Sequence, residues 1–214
     1  MAEKIRPASP AGPWVTVAFA ALALLLAAWP AAQGQAIYDR GAIFAGQWWR
    51  VYTGNFVHFS WSHLAWNLAV LLPTGIWLER RWPGPARGFQ FLSPLVIGLV
   101  LLGFAPRLDV YAGLSGVVIG LVTLLALLLR MTSASDRWWA NTVLLLVAIK
   151  LTAEGMKGGP LFAQFSAQSI RVVSLAHVAG VIAAAGIFSL FYLRNRQRRD
   201  RITAFVPDED NTER

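Results

Sequence analysis

The sequence predicts an all-α membrane protein built as a bundle of six transmembrane helices. Of its 214 residues 56% are hydrophobic and 14% charged, and the apolar residues are gathered into six long runs. Between the runs stand helix-breaking clusters: Pro83-Gly84-Pro85, Pro106 and Gly158-Gly159-Pro160.

The first run, 14–33, follows Lys4 and Arg6 and is interrupted late by Pro30. Together with Ala31-Ala32-Gln33-Gly34-Gln35-Ala36 it also fits a cleavable signal peptide, but its apolar stretch is long for one, which favours a retained helix. The second run, 62–79, contains Pro73 and ends on Arg80-Arg81, and the third, 89–105, stops at Pro106. The fourth and fifth, 115–130 and 138–152, are short for a span of about 17 to 25 residues. The sixth, 172–193, ends on the basic cluster Arg194, Arg196, Arg198, Arg199 and Arg201. No internal repeat or second domain is visible, so residues 1–201 form one predicted domain and 202–214 a polar, disordered tail.

Composition removes several function classes. There is no Cys, hence no disulfide, thiol nucleophile or thiolate metal site. The net charge of +8 comes from bases flanking apolar runs, which reports membrane orientation rather than nucleic-acid binding. Only His58, His63 and His177 exist. Two of them fall together at the second helix with no intramembrane carboxylate beside them, so no metal is implied, and no cofactor.

Lys and Arg set the orientation. A cytoplasmic N-terminus puts Lys4, Arg6, Arg80, Arg81, Arg87, Arg130, Arg137 and the C-terminal cluster inside, giving N-in, C-in with six crossings. Trp48-Trp49, Trp61, Trp82 and Trp138-Trp139 fall at segment ends, as interfacial anchors do. Helices two, four and six then descend in parallel. Asn67, His63, Ser115 and His177 lie 13 to 17 residues before the inner arginine of their helices. At about 1.5 Å per residue all four stand roughly 20 to 26 Å above the inner face. That is about 5 to 10 Å beneath the outer edge of a hydrocarbon core some 30 Å thick.

Polar groups gathered at one depth on three helices face a bundle interior or a wet cavity. Their chemistry is specific. Ser115 opens its helix in Gly113-Leu114-Ser115-Gly116, where the first NH groups have no helical acceptor and the dipole is positive. An oxyanion forming at Ser115 would meet those NH groups, and His63 and Asn67, spaced i, i+4 on one face, could add two donors. Gly113 and Gly116 admit close backbone approach, and Gly180, in Ala176-His177-Val178-Ala179-Gly180, lets the sixth helix pack tightly on the fourth. His177 is then the expected base. Asp109 precedes the fourth helix and Glu154 follows the fifth, so the expected constellation is a Ser115–His177 dyad without a third member.

Structural readings compete at each position. A membrane serine commonly bonds the preceding turn, Gly116-x3-Gly120 commonly marks helix packing, and His63-x3-Asn67 commonly bridges helices. A helix-binding scaffold or chaperone without activity is the main alternative, and a small polytopic carrier or channel a third. The scaffold has no need of both Ser115 and His177, and the carrier would line a path with charge.

The run Trp49-Arg50-Val51-Tyr52-Thr53, then His58-x4-His63-x3-Asn67, Gly75-x3-Glu79-Arg80, Gly113-Leu114-Ser115-Gly116 and Ala176-His177-x2-Gly180 resembles the rhomboid family of intramembrane serine proteases, from about 47 to 190. The resemblance implies Ser115 as nucleophile, His177 as general base, and His63, Asn67 and the Ser115 backbone NH around the oxyanion. It also implies structural roles for Arg50 and Glu79, a loop over 34–60 partly in the outer leaflet, and His58 as organiser of that loop's junction with the second helix. The wording Gly46-Gln47-Trp48-Trp49-Arg50, Thr53-Gly54-Asn55-Phe56-Val57-His58, Trp61 and Tyr111-Ala112-Gly113-Leu114-Ser115-Gly116 is most similar to the rhombosortase subgroup. That subgroup implies a bacterial inner-membrane enzyme, opening outward, whose transmembrane protein substrates carry a tail of a Gly-rich motif, one helix and a basic cluster. Ile119 departs from it: the subgroup often has a His there, and many rhomboids an aromatic. The lipid bilayer is the other expected partner; nucleic acid is not one, and the oligomeric state is open.

Overall fold

Proline and capping chemistry, more than hydropathy, decide where the helices of the computed structural model begin and end. It describes residues 12–157 and 174–204. Helix α1 (Trp14–Ala28) stops at Trp29 and α2 (Pro30–Ala36) leaves at 115° to it. The expected single helix 14–33 is therefore broken, because Pro30 disfavours a helical Trp29 and instead suits the first turn of a new helix. A strand β1 (Tyr38–Asp39), α3 (Arg40–Phe44), α4 (Arg50–Thr53) and a 3-10 turn (Gly54–Phe56) follow.

Helix α5 (Trp61–Arg81) starts on Ser60, whose Oγ accepts the His63 NH at 3.1 Å, and runs through Pro73. Helix α6 (Pro83–Phe104) begins six residues before the expected 89, since Pro83 occupies its first position rather than ending a segment. Strand β2 (Val110–Tyr111) pairs antiparallel with β1, Tyr38 facing Tyr111. Helix α7 (Ser115–Leu129) matches its expected bounds closely. Helix α8 (Ala134–Lys157) extends past the expected 138–152 at both ends, and α9 (Ser174–Ala204) past the expected 193. The Gly158-Gly159-Pro160 loop and residues 205–214 of the expected tail lie outside the described residues.

By length and apolar character α6, α8 and α9 can each cross a bilayer, and the bent α1–α2 pair makes a fourth if it is one span. At 15 residues α7 is about 22 Å long, and α5 is diluted by His63, Asn67, Glu79 and its terminal arginines. The chain is thus an all-α, multi-pass membrane protein. Its periphery exposes Trp66, Phe104, Leu145, Leu146 and Ile182, the surface that lipid solvates.

Helix α7 is central, with Val117, Leu121, Leu124 and Leu128 buried. Its most extensive partner is α9. Lipid tails are as apolar as leucine, so helices associate in a membrane through close packing. Here glycines supply it: a Cβ on Gly116 would stand 2.7 Å from the Ala176 carbonyl oxygen, and one on Gly120 2.6 Å from that of Gly180.

The N-terminal helix is tied in by a buried carboxylate. Glu79, on the last turn of α5, accepts from the Thr16 NH at 2.6 Å and the Thr16 hydroxyl at 2.7 Å, and also from Val15 NH, Gln90 and Arg87. It caps α1 from another helix, while Gly75 lets Thr16 lie close against α5. Glu79→Ala removes the acceptor from several buried donors. Its expected cost is about 1–3 kcal/mol, read as a lowered unfolding midpoint in detergent. Truncation before residue 29 should lower the midpoint as well, since it strands Glu79.

Arg50 organises the loop. It is buried, and its guanidinium donates to Gln47 Oε1 at 2.7 Å, the Ile37 carbonyl at 2.8 Å and the Gly34 carbonyl at 2.9 Å. Asn55 reaches across to the Pro94 carbonyl of α6 at 3.0 Å.

Candidate active site

Three parallel helix beginnings meet. His63 lies in the first turn of α5, Ser115 is the first residue of α7 and His177 lies in the first turn of α9. Ser115 Oγ and His177 Nε2 are 3.0 Å apart, within hydrogen-bond reach. His177 is 3% exposed, and Ser115 is partly accessible. The near-contact of Gly116 and Gly180 backbones, with the Ala176 carbonyl against Gly116, brings the two side chains together.

The loop ahead of Ser115 is held from several sides. Gly113 has φ +128°, a conformation only glycine adopts readily, and a Cβ there would lie 2.7 Å from His63 Cε1. The His63 ring therefore rests on the Gly113 backbone, and it meets the His58 ring edge-to-face at 4.9 Å. His58, buried, has Nδ1 3.1 Å from the Phe56 carbonyl, to which it can only donate. That leaves Nε2 to accept the Leu114 NH at 3.4 Å. Tyr111 donates its hydroxyl to the Gly113 carbonyl at 2.8 Å, and burial raises its pKa. Gly113 NH in turn donates to the Gly54 carbonyl at 3.3 Å.

Among the described residues, these restraints leave the first NH groups of α7 clear: no side chain there caps the helix, and its N-cap, Leu114, has helical backbone angles. Asn67 lies one turn after His63 and donates through Nδ2 to the His63 carbonyl at 3.0 Å. Its amide carries a second hydrogen that this bond does not use. Ile119, one turn past Ser115, is partly exposed.

Burial pushes His58 down to about 3, with nearby His63 adding to the shift and the Phe56 carbonyl opposing it. The unfolded chain takes up a proton at this position below about 6.5, whereas the folded chain resists it until about 3. Stability is therefore expected to fall as pH drops through that window, and to fall less steeply in His58→Gln. Unfolding midpoints at stepwise pH measure it.

One expectation is overturned. A carboxylate does reach the imidazole: Glu154 Oε2 is 2.7 Å from His177 Nδ1, and Glu154 is 1% exposed. Ending the fifth helix at 152 put Glu154 in a loop, but α8 continues to Lys157 and carries it to the level of His177. Its Oε1 pairs with Lys150, whose Nζ is also 3.4 Å from His177 Nδ1. Lys150-x3-Glu154, one turn apart on a helix face, was the available signal. Tyr111 was visible only as part of a motif.

An apolar, multi-pass helical bundle enclosing a serine–histidine contact is the class that fold and site define. Residues 45–196 match the Rhomboid domain, most of the chain, and the chain belongs to the rhomboid family of intramembrane proteases. A search of curated proteins gives no match. The matched range holds Ser115, His177, His63, Asn67 and Glu154, while α1 and α2 precede it.

Proposed function

We propose that the protein is a serine endopeptidase that cleaves transmembrane-anchored proteins near the outer leaflet, with Ser115 as nucleophile and His177 as general base. The 3.0 Å contact between Ser115 Oγ and His177 Nε2, at the amino end of a central helix, carries this reading. The distribution of Lys and Arg supports six crossings with both termini inside, a topology in which that end would lie toward the outer face.

A substrate segment that unwinds locally presents its carbonyl to Ser115. His177 Nε2 takes the hydroxyl proton as Oγ bonds to the carbonyl carbon. The resulting oxyanion is met by the NH groups at the start of α7, with side-chain donors from His63 and Asn67. Collapse breaks the peptide C–N bond, and the amine leaves with the proton held by His177. Water, deprotonated by the same nitrogen, then attacks the acyl carbon, and the proton passes from His177 to Oγ as the ester C–O bond breaks and the acyl group leaves as a carboxylic acid. Gly113 and Gly116 keep the approach open, and His58 and Gly180 hold loop and helix in place.

Asn67→Ala is expected to slow turnover by about 10- to 1000-fold without abolishing it, as one of several oxyanion donors. Initial cleavage rates of a purified substrate measure it.

Within the family we assign the chain to the rhombosortase type, in a bacterial inner membrane, acting on C-terminal tails of a Gly-rich motif, one transmembrane helix and a basic cluster. The support is the wording around Trp48-Trp49-Arg50 and Tyr111 to Gly116. Co-expression with a reporter bearing such a tail should give a shortened product. An intact tailed reporter, beside cleavage of a transmembrane substrate lacking the Gly-rich motif, would contradict the subgroup and leave the protease reading standing.

A further inference from the structure

We infer that Glu154 is a positioning residue for His177 and that it works against Lys150, an inference that rests on the protease reading above. His177 can act as base toward Ser115 only if Nε2 is unprotonated, with the ring hydrogen on Nδ1. Two groups compete for Nδ1. Glu154 Oε2, 2.7 Å away, belongs to a carboxylate that only accepts when ionised, so it selects the tautomer with hydrogen on Nδ1. Lys150 Nζ, 3.4 Å away, only donates, and would select the opposite tautomer, with a hydrogen on Nε2 aimed at Ser115 Oγ.

The structure resolves the competition through the carboxylate. Glu154 places one oxygen on each neighbour: Oε1 engages the Lys150 ammonium, while Oε2 is left for the imidazole. Lys150 is 25% exposed at its side chain, whereas Glu154 and His177 are buried, so the bond that sets the tautomer is shielded. When His177 takes the Ser115 proton, the imidazolium forms beside the Glu154 carboxylate, which offsets part of the combined positive charge of His177 and Lys150. The arrangement is a serine–histidine–glutamate line whose third member arrives from α8.

The test uses the full-length protein in detergent and a fluorophosphonate probe, with the rate of Ser115 modification at saturation separated from half-saturating probe concentration. Glu154→Leu and the isosteric Glu154→Gln are expected to lower the saturating rate by about 100- to 10,000-fold. The half-saturating concentration should stay near wild type, and the unfolding midpoint of Glu154→Gln should stay closer to wild type than that of Glu154→Leu, which leaves buried donors without an acceptor. Adding Lys150→Met to Glu154→Leu removes the competing donor and should recover about tenfold of the loss. A folded Glu154→Gln protein labelled within about threefold of wild type, with Ser115→Ala unlabelled, overturns the inference and leaves the protease reading intact. Slow labelling of Glu154→Leu with no recovery from Lys150→Met overturns the competition. Wild-type protein that neither labels at Ser115 nor cleaves substrate defeats the protease reading itself.

Discussion

Ser115→Ala is expected to abolish cleavage of a co-expressed tailed reporter, by about 10,000-fold or more, while the protein should still insert and unfold at the wild-type temperature. The size of the effect follows from the proposed role: Oγ would form and break the covalent bond, so nothing beside it could substitute. Its structural neutrality follows from the position. Ser115 is partly accessible at the first residue of α7, and the loop before it is held by His58, His63 and Tyr111, none of which needs the Ser115 hydroxyl for its backbone contacts. Cleavage that survives in Ser115→Ala excludes this serine as nucleophile.

Gly180→Leu is the second large effect, and it should strike fold and activity together. A Cβ at Gly180 would run into the Gly116 carbonyl, so α9 must move off α7. Overpacking of this kind costs about 1–3 kcal/mol or more. Because the same contact sets the Ser115–His177 distance, a displacement of about 1 Å is worth roughly 100-fold in rate even where the bundle survives. Gly186→Ala is the control on the same helix. A Cβ there meets nothing within 4 Å, so rate and unfolding midpoint should both match wild type. A Gly180→Leu protein with normal turnover would show that α7 and α9 can separate without cost to the site.

The residues that meet at the site were legible because depth is a one-dimensional quantity. Counting back from Arg80, Arg130 and Arg194 puts His63, Ser115 and His177 at one level, and the structure gathers them in the first turns of their helices. The glycines were readable for a similar reason, since close backbone approach leaves no room for a side chain, as at Gly113, Gly116 and Gly180. Glu154 was hidden by a helix boundary. Thr152-Ala153-Glu154 looks like the polar end of an apolar run, yet burial and pairing of Glu154 with His177 and Lys150 offset the polarity and the helix continues. Boundaries around proline failed as well: Pro30 splits a run expected whole and Pro83 begins a helix expected to start at 89, whereas Pro73 is carried within its helix as expected. The contact of Glu79 with Thr16 lies beyond any local pattern, because its partners are 63 positions apart in the chain.

Peptide mapping by mass spectrometry after fluorophosphonate treatment addresses the catalytic pair most directly. The account predicts a phosphonyl adduct on Ser115 of the folded wild-type protein, with loss of that adduct in His177→Ala. An adduct that forms equally well without His177, or a proteolytically active protein with Ser115 unmodified, would contradict it.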